Sequence, residues 1–278
     1  MADLRIFSYL PGPRVWKATI AARFCGVDVE VRGAPAKELK TWLWDFDAHP
    51  LSDAELAEHS SLARTGRVGM KGTRLYKSDA FMKAHPFGTV PAAFSPDGTV
   101  GIFESNSIMR AVARLGEKRF PLYGRNAYEA SRIDSFLDAS LVFARDTQIY
   151  LLALLDGSVD AAIHARAKDA FAIYAAGIEQ ALSAERTWLV GDGLSLADIC
   201  FATELALFSN EHLRSQQLKE IGLSKILHQQ TNEDYPLMTA HFERLVAHEN
   251  FKPDLEPHMR KTRAAADEFE LAGERSSI

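Results

Sequence analysis

The chain is poor in cysteine, in long apolar runs and in net charge. Two cysteines, Cys25 and Cys200, lie far apart in 278 residues. They form neither a CxxC pair nor a zinc-finger spacing, which argues against a disulfide framework and a cysteine-based zinc site. Both read as buried small hydrophobes in a reducing compartment rather than as nucleophiles. No stretch approaches the about 18 apolar residues of a membrane span. The N-terminus, "MADLRIFSYLPGPR", has no basic region followed by a long apolar core, so no secretory signal is expected and a cytoplasmic location is. The net charge of −5, with both signs interspersed, gives no electrostatic footprint for nucleic acid or an anionic membrane.

What is present is an ordinary globular mixture with two textures. "LRIFSY" from Leu4 reads as a strand, "RVWKATIAARFCG" as a helix ended by Gly26, and "VDVEVRG" as a second strand. That β-α-β order favours a parallel pair. "PAAFS" and "TVGIF", joined by "PDG", read as a hairpin, and "ESNSIMRAVARLG" as the helix after it. From about Arg125 the period becomes helical. Ile133, Phe136, Leu137, Leu141 and Ala144 share one predicted face, and Ile163, Ala167, Phe171, Tyr174 and Ile178 another. The expected division is a mixed domain over 1–118 and an all-helical domain over 122–278, the latter with a charged tail from Lys252 that frays at "GERSSI".

Residues 34–84 are too long a segment to be a bare loop. Ser52 and Ser78 are placed to cap two short helices in it. Trp42, Trp44 and Phe46 read as a cluster lying over the core, or as a lid or partner surface. "GRVGMKG", Gly66 to Gly72, lacks the GK[ST] ending of a phosphate loop and reads as a flexible basic loop. "SLAD", Ser195 to Asp198, is a capping box, so loss of Asp198 is expected to harm folding before chemistry. His241 and His248 lie about two helical turns apart, too far for one ion, and read as surface histidines. No metal site is expected.

The stretch "GTVPAAFSPDGTVGIFESNSI", Gly88 to Ile108, carries the most chemistry. Pro91 stands where a strand begins, and Glu104 and Ser105 stand where a helix begins. One reading is a turn and a cap. The other is a receptor for a small zwitterion. Val90 would offer backbone N–H and C=O groups to a peptide-like ligand. The helix start and the Ser105 hydroxyl would take a carboxylate, and Glu104 an ammonium.

Taken together, the β-α-β unit, "GTVP", "FESNSI" and the helical half with "LVGDGLSLADI" resemble the glutathione S-transferase family. "SYLPGPRVWKATIAARFCGVDVEV", "HPFGTVPAAFSPDGTVGIFESNSI" and "WLVGDGLSLADI" are similar to the transferase-like domain of the gamma subunit of eukaryotic translation elongation factor one. These motifs span most of residues 3–208. The resemblance implies a thioredoxin-like N-terminal domain with a cis proline, an all-α C-terminal domain, glutathione as co-substrate, and a dimer of this chain with itself or with a related chain. It implies that Val90 pairs with the cysteinyl part of glutathione, that Pro91 is the cis proline, and that Glu104 and Ser105 hold the γ-glutamyl end. Thr89 lies beside them, and Tyr76 lies near the glycyl end.

The thiol partner departs from the family pattern. Leu10 falls where a catalytic serine often sits, and Tyr9 and Ser8 are out of step with it. Arg14 is then the candidate for stabilising the thiolate, because a cation lowers a thiol pKa. Its competing role is a structural ion pair, and that of Tyr9 is core packing or a secondary contact with substrate. Phe136, Phe143 and Tyr150 are candidates for an apolar, aromatic electrophile site, or for core. "PRVWK", Pro13 to Lys17, is also similar to the first helix of bacterial glutathione-dependent β-aryl etherases. Two functions are implied: a transferase in which glutathione thiolate attacks an aromatic electrophile, or a non-catalytic scaffold like the elongation-factor subunit.

Overall fold

The computed structural model describes residues 2–66, 70–183 and 185–275, and the chain divides into two compact units between Pro121 and Leu122. In the first unit, β1 (Leu4–Tyr9) leads through Gly12 into α1 (Pro13–Cys25). Pro13 suits the first helical position, where its missing N–H has no helical partner, and Gly26 ends the helix in the left-handed conformation at φ 60°. β2 (Val29–Ala34) returns parallel to β1, from Leu4 opposite Val29 to Tyr9 opposite Ala34. β7 (Ala92–Phe94) pairs antiparallel with the other side of β1, and β8 (Gly101–Phe103) with β7, giving the order β2-β1-β7-β8. α4 (Ser105–Leu115) follows β8 and packs against α1.

Residues 34–84 contain a second four-stranded sheet that the sequence pattern did not reveal. Its strands are β3 (Trp42–Trp44), β4 (His49–Pro50), β5 (Ala63–Thr65) and β6 (Arg74–Lys77), in the order β4-β3-β6-β5. None is long enough to display an alternation of its own. Between them lie α2 (Asp53–Glu58), capped by Ser52 and Glu55, and after them α3 (Asp79–Ala84), capped by Ser78. The aromatic cluster is not a satellite lying over the core, as one expectation had it. Phe7 of β1 stacks on Trp42 at 6.1 Å between ring centres and meets Trp44 edge-on at 5.4 Å. Phe46 meets Phe94 of β7 at 5.6 Å, so the segment's aromatics and the first sheet bury one another. Charges reinforce the join. Arg5 lies 4.1 Å over the Phe46 ring and bonds Glu30 at 2.8 Å and Asp47 at 2.5 Å. Residues 67–69 of the expected basic loop lie outside the described residues.

Among the described residues the second unit contains helices and no strand. Asn126 caps α5 (Ala127–Asp156) by accepting from the N–H groups of Tyr128 and Glu129, and Asp160 caps α6 (Ala161–Leu182). Ile133, Leu137, Ser140, Ala144 and Thr147 form the buried stripe of α5. Leu141 falls outside it and is exposed, because one residue is about 100° of rotation. α7 (Leu196–Phe208) is buried at nearly every position. The expected capping box is present: Asp198 accepts from Ser195 N–H at 2.9 Å. The same carboxylate also accepts from Leu189 N–H and from His241 at 2.9 Å.

His241 is therefore not the surface histidine expected. It is buried on α10 (Pro236–Ala247), stacked on Phe201 and held between Asp198 and Arg244. Its Nε2 lies 2.9 Å from Asp198 Oδ1, and Arg244 reaches its Nδ1. α8 (Ser215–Glu220) and α9 (Gln229–Asp234) precede α10, and α11 (Lys252–Arg275) extends through most of the expected tail. The end of that tail, 276–278, lies outside the described residues. Among the described residues no histidine, cysteine or acidic cluster could hold a metal, and no helix is long and apolar enough to cross a membrane.

Candidate functional site

The site is set by one hairpin. Asp97 accepts from the Ser95 hydroxyl at 2.6 Å and from Thr99, which locks the turn and holds the Asp97 carboxyl down at about 2. Gly98 follows at φ 73°, and a Cβ there would meet the Phe46 ring at 2.9 Å. The turn fixes the register of β7 against β8, with Ala92 opposite Phe103. Pro91 immediately precedes Ala92 and Glu104 immediately follows Phe103, so the segment before β7 and the start of α4 lie at the same end of the hairpin.

Both sides of this junction present unmet polar groups. The Val90–Pro91 peptide bond is cis. Among the described residues, neither the N–H nor the C=O of Val90 is hydrogen bonded. Glu104 occupies the N-cap of α4 at φ 66°, a left-handed conformation that costs an ordinary side chain about 1–3 kcal/mol. Its side chain makes no capping bond, and its carboxylate is exposed and has no ion-pair partner among the described residues. Ser105, at the first helical position, is 6% exposed. The first-turn N–H groups and the dipole of α4 thus stand beside a hydroxyl, a carboxylate and a free strand edge.

Thr89 is half-buried next to Val90. Tyr76 is buried on β6, in register with Leu43 and Ala63, with the Arg74 guanidinium 5.4 Å over its ring. Its neighbour Lys77, which sequence reasoning passed over, is 6% exposed and donates to the Gly88 carbonyl at 2.5 Å. Gly88 adopts φ 61°, which strains a residue with a side chain, and a Cβ there would crowd Met82 Sδ at 3.1 Å and Lys77 Nζ at 3.2 Å. The only sequence signal was position: a lysine ending a strand and a glycine two residues before Val90.

At the other end, Arg14 is half-buried at the second residue of α1 and is already engaged in contacts. Leu10 donates its N–H to Ala34, and the Leu10–Pro11 bond is also cis, which was not anticipated. Tyr9 is half-buried against the aromatic cluster. Burial pushes the Cys25 thiol up to about 11, so Cys25 is inert near neutral pH.

The three aromatic candidates of the second unit separate. Phe136 and Phe143 line a cavity of about 1060 Å³ between α5 and α6. Phe143 stacks on Tyr174 there at 4.5 Å, and Arg132 lies 5.0 Å over Phe136. Tyr150 does not join them. It is fully buried and donates its hydroxyl to Glu211 at 2.6 Å. Glu211 also accepts from the N–H groups of Ile226 and Leu227 at 2.8 Å. Tyr150 is thus a core residue, correcting its assignment as a substrate contact.

Comparison with known proteins agrees with this architecture. Residues 148–249 match the glutathione S-transferase C-terminal domain. The chain is 28% identical over 216 residues to elongation factor 1-gamma 1 of Oryza sativa subsp. japonica, covering 74% of this chain and 47% of that protein. It therefore spans about half the length of that relative. Over 70 residues it is 39% identical to glutathione S-transferase F9 of Arabidopsis thaliana, covering 25% of this chain and 31% of that one. A glutathione S-transferase of Methylobacterium radiotolerans, solved in complex with glutathione sulfonate, superposes with a TM-score of 0.59 at 16% identity, covering 91% of this chain and 94% of that one.

Proposed function

From a chain that has the glutathione S-transferase fold and carries the C-terminal domain of that family, we propose a glutathione transferase whose tripeptide site is the junction of Val90 and Ser105. The observation that carries this reading is the pairing of an unbonded Val90 backbone with the open start of α4. The cysteinyl backbone of glutathione would add to the Val90 edge as a short strand. Its γ-glutamyl carboxylate would take the α4 N–H groups and the Ser105 hydroxyl, and its ammonium would meet Glu104. Thr89, Tyr76 and Lys77 would be the candidates for the glycyl end. Arg14 would hold the thiolate, raising its fraction at neutral pH by stabilising the negative charge. The thiolate would then attack an apolar, aromatic electrophile and expel its leaving group, with the aryl ethers of lignin as one substrate class. Phe136 and Phe143, which line the cavity between α5 and α6, are the candidates for an apolar aromatic ligand of the second unit. We further propose a cytoplasmic dimer, of this chain with itself or with a related chain.

Two observations favour a second reading, a non-catalytic scaffold. Leu10 stands where a catalytic hydroxyl is expected, and the relative matched over most of this chain is an elongation-factor subunit. Thermal unfolding in millimolar glutathione separates binder from non-binder, since a ligand of the native state raises the midpoint. A rise with no turnover of an activated aryl chloride supports the scaffold. A rise with turnover that Arg14→Ala abolishes supports the enzyme. No rise excludes the transferase and leaves the scaffold standing.

A further inference from the structure

Lys17 is among the most deeply buried side chains of the first unit, at 1% exposure. A buried ammonium is costly, and an apolar residue of the same length would fill this position of α1 more cheaply. Its head group has a defined role: Nζ donates to Asn106 Oδ1 at 2.7 Å, and Asn106 is also 1% exposed. Asn106 immediately follows Ser105 in the first turn of α4. Lys17 lies three residues after Arg14 on α1, one helical turn away. The bond therefore ties the start of α1 to the start of α4. Ser8, which follows Phe7 on β1, also has a buried hydroxyl without a hydrogen bond.

We infer that Lys17 is a positioning residue for the γ-glutamyl end of glutathione, acting through Asn106 to hold the first turn of α4 in its anion-binding orientation. The inference rests on the glutathione site proposed above. The four-carbon stem packs in the core while the ammonium sits behind the helix start. There it orients the Asn106 amide in the first turn that would meet the carboxylate. Lys17 itself does not touch the ligand.

The test compares two ligands by calorimetric titration: glutathione, and cysteinylglycine, which lacks the γ-glutamyl group. The wild type is expected to bind glutathione more tightly. In Lys17→Met, glutathione affinity is expected to fall about ten-fold while cysteinylglycine affinity holds, so the preference collapses. Lys17→Arg should restore part of it. Asn106→Ala should repeat the collapse, and it decides the matter if Lys17→Met does not fold. An unchanged preference in the folded variants, or an equal loss for both ligands, overturns the role of Lys17 and leaves the site standing. A wild type that binds neither ligand overturns the site, and this role with it.

Discussion

His85 offers a quantitative test of the first unit. Its ring is 1% exposed, 4.7 Å from Phe94 and 5.1 Å from Phe81, with no hydrogen bond at either nitrogen. Burial among these rings holds its pKa down, from the ordinary 6.5 to about 4. The Ala93 backbone nearby, outside hydrogen-bond geometry, opposes this in part. Above 6.5 the ring is neutral in both native and unfolded chains and contributes no pH dependence. Between 6.5 and about 4 the unfolded chain takes the proton and the native chain does not, so stability falls as pH falls. The whole window corresponds to about 3 kcal/mol, and below it the loss levels off. His85→Leu removes the titration while keeping an apolar side chain of similar size. Urea unfolding of both proteins in steps from pH 7 to about pH 4 isolates the effect, because the other acids cancel in the difference. The variant should gain on the wild type by about 3 kcal/mol across the window. Parallel curves would refute the account of His85 as a buried neutral ring. The His85 carbonyl accepts from Gly88 N–H at 2.8 Å, at the turn that leads to Val90.

Other expectations separate structural from functional groups. Tyr150→Phe removes a donor from the buried Glu211 carboxylate, whose pKa burial already raises. It should cost about 2 kcal/mol in urea unfolding and leave turnover per folded molecule unchanged. Asp198→Ala deprives buried Leu189, Ser195 and His241 of their shared acceptor and should cost about 3 kcal/mol or more by the same measurement. Asp47→Asn weakens only a largely exposed tie between Arg5, Arg32 and the 34–84 segment. It should cost below about 1 kcal/mol, an effect that added salt reduces.

The features legible in the sequence were those with local chemistry. Pro91, the "PDG" turn, the Glu104–Ser105 helix start, the caps at Ser52 and Ser78 and the box at Ser195 each depend on neighbours a few residues away. The second sheet was not legible, because strands of two to four residues carry too little alternation to stand out. Buried polar residues were misread for the opposite reason. Lys17 and Lys77 look like ordinary surface lysines until the chain brings Asn106 and Gly88 to them. His241 looked like a surface residue because Asp198, its partner, is 43 positions away. Tyr150 looked like a ligand wall because nothing near it in sequence reveals Glu211, 61 positions on.

The central claim is that Val90 and the start of α4 hold glutathione. Calorimetric titration of glutathione into the wild type and into Ser105→Ala tests it most directly. The account predicts saturable binding by the wild type and about ten-fold weaker binding by the variant, the loss of one hydrogen bond to a carboxylate. Equal affinities, or no binding by the wild type at millimolar glutathione, would contradict it.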